Sequence, residues 1–320
     1  MSSGKKKRRD DFRAPQHGSS DRSDPGPAGR TQRPGGFLGG LFGRGVAPSQ
    51  SPYPTLRQSF GRGFLAVGSS PVLVGVAVVA PFLAWSVFLV LGMVPSIGNM
   101  AGYLALPSIG VSTDIVAGNL VFGARGGSLA APVLIALRAV MTALLSGMVV
   151  EQLRFGRVSG RGLRDGVRAI PVSLAISILA FTATLLINIV GSFGLGIAFS
   201  LLMLVASVFF LSYGPVIAVV HPRGIGPAIR RTLLAARVPG SQNLLLAFAY
   251  ALFAFVSPLL VPGLGRIDAN PGISTWIGVL AVNVIHLGFL AVYSYRYLYA
   301  APGLPEPKPP QQRAQRRSAS

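Results

Sequence analysis

Six apolar runs of membrane-spanning length alternate in this sequence with basic clusters that would all face one side of a bilayer. Of the 29 Lys and Arg residues, 12 fall in 1–70, 5 in 151–168, 4 in 221–241 and 5 in 296–320, leaving only Arg125, Arg138 and Arg266 elsewhere. Cytoplasmic retention of Lys and Arg produces this pattern, so it speaks to topology as well as to class. The predicted spans are 71–95, 129–150, 169–190, 194–220, 242–262 and 273–296. Each is close to the roughly 20 residues that cross a hydrocarbon core of about 30 Å. Both termini fall on the basic side, which places the expected protein in the cell (cytoplasmic) membrane, multi-pass, with N- and C-termini in the cytoplasm.

The spans are expected to be helices, because lipid leaves unpaired backbone groups unsatisfied and no run alternates like a barrel strand. The fold class is therefore all-α, a polytopic helical membrane bundle of six transmembrane helices with short interfacial amphipathic helices. Pro81, Pro215 and Pro258 mark expected kinks, since proline removes a helix hydrogen bond. Composition agrees: 51% of residues are hydrophobic and only 12% charged, whereas a soluble domain carries about a quarter charged residues. A net charge of +20 would point to nucleic acid in a soluble chain. Here the basic residues flank apolar spans, so the expected partner is the bilayer, with anionic phospholipid headgroups on its cytoplasmic side, and no nucleic acid is expected. A membrane protein partner or a homo-oligomer is also compatible with the pattern. Cysteine is absent, which excludes disulfides and thiolate chemistry.

Residues 1–53 read as a disordered, basic cytoplasmic tail rich in Gly, Pro and Ser, 54–300 as the six-span membrane domain, and 301–320 as a second disordered basic tail. Lys5–Arg9 reads as a solvated charge run that enforces topology, with attachment to headgroups as the alternative. A cleaved signal peptide is not expected, because the first long apolar run starts only near Pro71. Three cytoplasmic pieces are amphipathic. In 56–67, Leu56, Phe60, Phe64 and Val67 recur at helical spacing with Arg57 and Arg62 between them. In 159–170, Leu163, Val167 and Ile170 recur against Arg161, Arg164 and Arg168. In 226–238, Ile229, Leu233 and Leu234 oppose Arg230, Arg231 and Arg237. Each is expected to lie in the headgroup plane with its arginines toward phosphate, and each runs into a span. The chain thus reads as three units of interfacial helix, outward span and return span.

Two stretches carry a resemblance. One is Val158-Ser159-Gly160-Arg161-Gly162-Leu163-Arg164-Asp165-Gly166-Val167-Arg168, entering the third span. The other is Pro215-Val216-Ile217-Ala218-Val219-Val220 followed by Gly224-Ile225-Gly226-Pro227-Ala228-Ile229-Arg230-Arg231-Thr232-Leu233-Leu234. Over roughly residues 55–300 the chain resembles the membrane domain found in some bacterial glycerophosphodiester phosphodiesterases and related uncharacterised six-helix bacterial membrane proteins. In the fused members the hydrolase is a separate barrel after the membrane part. About 24 residues follow the last predicted span here, so the resemblance implies no phosphodiesterase activity.

A catalytic set is not evident. Of the nine carboxylates, Asp10, Asp11, Asp21, Asp24 and Glu306 lie in the tails, and Asp114, Glu151, Asp165 and Asp268 are dispersed. None forms the close pair that acid/base work needs. His17, His221 and His286 stand at no metal-ligand spacing, and no phosphate loop or nucleophile elbow occurs. The expectation is a protein that is not an enzyme and needs no cofactor and no metal. Asp114 with Arg125, and Arg266 with Asp268, read as local ion pairs on the outer side. Thr182, Thr184 and Asn188 read as interhelical hydrogen-bonding groups.

Arg138 is the most informative single residue. Counted from Leu129 it lies roughly 14 Å into an inward-running span at about 1.5 Å per residue. There an arginine costs at least about 2.5 kcal/mol unless paired or hydrated. Asn283 and His286, three residues apart on one face of the sixth span, stand at comparable depth, and Tyr250 of the fifth span is their expected neighbour. Arg138, Asn283, His286 and Tyr250 form a candidate midplane polar cluster: either a site for an anion, a headgroup or protons, or a structural hydrogen-bond lock. Function follows the same fork. One reading is a non-catalytic, membrane-organising component that interacts with lipid or a partner. The alternative is a transporter or lipid-handling permease with a midplane polar site. A membrane-embedded enzyme is the third and weakest, for want of a catalytic set.

Overall fold

Thr55 and Ser70 start the first two helices with side-chain caps. The Thr55 hydroxyl accepts the Gln58 N–H, and the Gln58 side chain accepts the Thr55 N–H in return. Ser70 accepts the Leu73 N–H ahead of a first turn that holds Pro71, where no N–H is needed. The computed structural model describes residues 53–93, 97–106, 130–190, 196–222, 224–237, 240–263 and 270–300. Its helices are α1 Leu56–Gly68, α2 Pro71–Val90, α3 Ile97–Ala101, α4 Ala130–Phe155, α5 Gly160–Val190, α6 Gly196–Leu211, α7 Gly214–Val220, α8 Ile225–Ala236, α9 Gly240–Val256 and α10 Ile273–Ala300. A 3-10 turn, Ser257–Leu260, follows α9, and no strand occurs among the described residues. Five segments are long and apolar enough to cross a membrane: Pro71–Val90, Pro132–Phe155, Gly160–Thr182, Leu202–Val220 and Ile273–Tyr299. A sixth joins them if α8 and α9, whose axes meet at 99°, count as one bent span. By length and composition this is the build of a multi-pass membrane protein. Large apolar side chains such as Val79, Leu83, Ile178, Leu245, Leu252 and Ile277 are exposed on four different helices, a distribution that suits lipid rather than water.

α10 is the shared helix, packed against α1, α2, α3, α4 and α7. Contacts advance along α1 from Pro54 to Phe64 as they retreat along α10 from Arg296 to Gly288. A Cβ on Gly63 would lie 2.7 Å from the Val292 nitrogen, so glycine is what lets the two backbones approach. Phe60 and Phe64 meet Phe289 edge-on at 5.6 and 5.9 Å. The expectation for 56–67 is corrected here. Its buried line is Ser59, Gly63 and Val67, a small-residue seam on α10, while Phe60 and Phe64 spend their rings on a partner helix as much as on any interface.

α4 and α5 form the most extensive helix pair. A Cβ on Gly166 would stand 2.7 Å from the Leu144 Cα, again a backbone-to-backbone contact that four-residue spacing of small residues permits. The second interfacial helix, expected at 159–170, is not a separate element: it is the first three turns of the 31-residue α5, which continues through Pro171. Glu151 explains why the helix can begin so abruptly. Its carboxylate accepts the Ser159 N–H at 2.9 Å, the Ser159 hydroxyl at 2.5 Å and the Gly162 N–H at 2.8 Å, satisfying donors at a helix N-terminus. The first and third elbows, α1 and α8, are distinct helices, and α8 meets α9 at 99°.

The prolines behave differently from one another. Pro81 sits inside an unbroken α2. Pro215 accompanies a real interruption, with α6 ending at Leu211 and α7 restarting at Gly214. Pro258 lies in the 3-10 turn that ends α9. The largest departure is in the predicted first outer loop. Part of it, residues 97–106, is buried inside the bundle, as α3 and the turns that follow. The tails, Asp114, Arg125, Arg266 and Asp268 lie outside the described residues.

Candidate functional site

Residues 97–106 read as loop because Gly98, Asn99 and Gly102 interrupt the apolar pattern, yet every one of the ten is buried. Irregular backbone at that depth requires partners for its N–H and C=O groups. Part of the need is met locally, by Gly102 N–H to Gly98 O at 3.0 Å and Ala105 N–H to Gly102 O at 3.0 Å. Further partners come from three of the four residues singled out from the sequence, with His286 joined through Tyr250. Arg138 donates Nη2 to Asn99 O at 3.0 Å and to Gly102 O at 2.8 Å. Asn283 donates Nδ2 to Met100 O at 2.8 Å and accepts the Leu104 N–H on Oδ1 at 2.8 Å. Tyr250 accepts the Leu106 N–H at 2.8 Å, and its hydroxyl stands 2.9 Å from His286 Nδ1. Arg138 is 1% exposed, Tyr250 and Asn283 0%, and His286 1%.

The structure thus brings all four together, but around a fifth element that the sequence reading left outside. Arg138 meets the backbone of 97–106, Asn283 the same segment from α10, and Tyr250 the same segment from α9. The signal that was available is the length of the loop with its Asn99 and Gly102, too apolar at 97–106 for a solvent-facing turn.

A second polar cluster occupies the end of the bundle where α1 begins and α10 ends, and sequence reasoning missed it. Arg296, counted there among the C-terminal basic residues, is 2% exposed. It donates Nε to Asn243 Oδ1 at 3.1 Å, Nη1 to Pro54 O at 3.0 Å and to Ser59 Oγ at 3.3 Å, and Nη2 to Gln242 Oε1 at 3.2 Å. Asn243 also accepts the Tyr213 hydroxyl at 2.8 Å and donates to Ala235 O and Ala236 O at 3.1 Å. One arginine and one asparagine therefore tie α1, α7, α8, α9 and α10. Arg231 belongs to the same end: it is buried and donates Nε to the Tyr297 hydroxyl at 2.7 Å. Its assignment as a headgroup contact is corrected. On α8 the buried stripe is Ala228, Arg231, Thr232 and Ala235, so Arg231 falls on the packed face and Arg230 on the open one.

The other candidate headgroup arginines, Arg57, Arg62, Arg161, Arg164, Arg168, Arg230 and Arg237, are all exposed. Arg168 shares its charge with Asp165 at 3.7 Å, and Arg161 stands over the Phe155 ring at 5.7 Å. Contacts gather the basic segments at one end of the bundle: Arg296 reaches Pro54, Gln152 reaches Ser69 and Arg231 reaches Tyr297. The opposite end carries the stack of Phe82 on Trp276 at 4.2 Å, with Trp85 edge-on at 5.6 Å. Thr182 is exposed and donates to Ile178 O of its own helix, so it does not join helices as expected. The side chains of Thr184 and Asn188 lie outside the described residues. Among the described residues no three His, Asp or Glu side chains gather to hold a metal ion. Compared with models of known protein families, with curated proteins and with solved structures, the chain matches none.

Proposed function

We propose that this is a six-span protein of the cytoplasmic membrane, with both termini inside, that acts as a non-catalytic component engaging anionic lipid or a partner protein at its cytoplasmic end. The observation that carries this reading is the division of labour among its polar side chains. Those at depth are committed to the backbone of residues 97–106, while seven arginines stay exposed on α1, α5, α8 and the turn after α8. Near a membrane surface each such cation contributes about 1 kcal/mol with anionic lipid. Membership in the six-helix bacterial family noted above is part of the proposal, supported by the sharp turn from α8 into α9. Changing Arg161, Arg164 and Arg168 together to Gln should lower the anionic lipid that co-purifies with the chain. Unchanged lipid content would sink the reading.

A permease is the second reading, and one observation favours it. Broken helices at membrane depth occur where they are buried in protein or line a passage, and residues 97–106 are such a segment. Asn99 Oδ1 and His286 Nε2 are buried there without a hydrogen-bond partner among the described residues. Solute uptake into vesicles that depends on His286 would decide for this reading.

A further inference from the structure

A cleft opens at the end of the bundle where α1 starts and α10 ends. It has two lobes, of about 640 Å3 and about 350 Å3, and Arg62, Leu65, Tyr295 and Tyr299 line both. Gln58 and Arg62, four residues apart, present one face of α1; Tyr295 and Tyr299, also four apart with rings 4.7 Å between centroids, present the facing stripe of α10. Gly61 leaves the larger lobe open, since a Cβ there would meet nothing within 4 Å. Gln152 of α4 and Ser69 close the smaller lobe. Among the described residues, neither lobe is lined by an acidic side chain.

The chemistry of this lining is specific. A guanidinium offers a fork of N–H donors that matches phosphate oxygens, and hydrogen bonds to a charged acceptor are about twice as strong as neutral ones. Two tyrosine hydroxyls and two glutamine amides add donors round it, while the tyrosine rings and Leu65 provide apolar wall. Tyrosines concentrate at the level of lipid headgroups because one end of the ring system is apolar and the other wet.

We propose that this cleft binds the phosphate of an anionic phospholipid headgroup, with Arg62 as its cation and Tyr295 and Tyr299 as hydroxyl donors. The site rests on the membrane reading above and deepens it: one built position within that basic surface.

The test uses the full chain purified in detergent, titrated with short-chain phosphatidylglycerol, short-chain phosphatidylcholine and inorganic phosphate, with bound ligand counted by native mass spectrometry. Saturable phosphatidylglycerol binding is expected, with phosphatidylcholine and inorganic phosphate far weaker. Arg62→Gln should weaken phosphatidylglycerol binding roughly tenfold or more, the loss of a charge-assisted contact. The double variant Tyr295→Phe with Tyr299→Phe should weaken it several-fold, and it decides alone should Arg62→Gln fail to fold. Arg230→Gln, an exposed arginine outside the cleft, should weaken binding much less than Arg62→Gln does. The proposal is overturned by wild-type binding in both cleft variants, by an equal loss in Arg230→Gln, or by inorganic phosphate competing at the lipid's own concentration, which would make this a site for soluble phosphate. Alkaline extraction of membranes separates the premise from the site: release of the chain defeats the membrane reading itself, whereas a chain retained in the membrane with unaffected cleft variants defeats only the headgroup site.

Discussion

The side-chain oxygen of Asn283 accepts the N–H of Leu104 at 2.8 Å, a buried bond between residues 179 positions apart. The same amide donates to Met100 O and, within its own helix, to Val279 O, each at 2.8 Å. Residues 97–106 are therefore held by α10 as firmly as by their own turns. An amide that meets two groups of a foreign segment does so only when that segment is docked, so Asn283 reports its position.

Asn283→Leu removes both tethers and strands the buried Leu104 N–H, while Met100 O keeps the Tyr103 N–H at 3.2 Å. A stranded group costs about 1–3 kcal/mol, and a loss in that range is expected. Hydrogen exchange should show Met100–Leu106 losing protection before the rest of the bundle does. Uniform protection across the variant would mean that the segment does not depend on Asn283.

Arg138→Leu is expected to lower the thermal midpoint. Removing a buried arginine is neutral or stabilising when its partners go with it, but here the partners are Asn99 O and Gly102 O, which stay behind. Gly102 O keeps a second donor in the Ala105 N–H, so a loss nearer 1–2 kcal/mol than the full cost of two stranded groups is the expectation. A variant of unchanged melting temperature that fails in solute uptake would instead assign Arg138 to a passage.

Gly166→Leu should separate α4 from α5. Its first side-chain atom would already overlap the Leu144 backbone at 2.7 Å, and backbone cannot move aside as a flexible side chain does. Purified yield and melting temperature should both fall sharply, and Gly160→Ala, whose Cβ would meet nothing within 4 Å, serves as the tolerated control. Equal behaviour of the two would remove the seam from the account.

Topology is checked by reporters. One inserted near Arg161 or Arg230, or placed after Ser320, should report cytoplasm, and one near Asp114 or Asp268 should report the outside. Either outer reporter appearing in the cytoplasm would sink the six-span arrangement.

The helices were legible in the sequence because a span must be about 20 apolar residues long, whatever packs on it. Counting along those spans set Arg138, Asn283 and His286 at comparable positions beside Tyr250, and all four are buried. Where amphipathic pattern was used to choose a face, it was less reliable. Leu163 and Val167 are exposed while Gly162, Gly166 and Ala169 are buried, because close helix packing in an apolar surrounding selects small side chains, not greasy ones. Arg231 and Arg296 looked like surface charge for the same reason: a basic residue at a span's end has the same pattern whether it faces phosphate or a tyrosine.

By itself the sequence determined the helical character of the described residues and the positions of their apolar segments, since these depend on local composition. Only the tertiary structure decided that 97–106 enters the bundle, that the polar residues at depth serve it, and that Arg296 and Asn243 tie five helices at one end. Those outcomes depend on which backbone groups are left without partners once the helices pack. Such vacancies belong to no single segment, so no segment's composition records them.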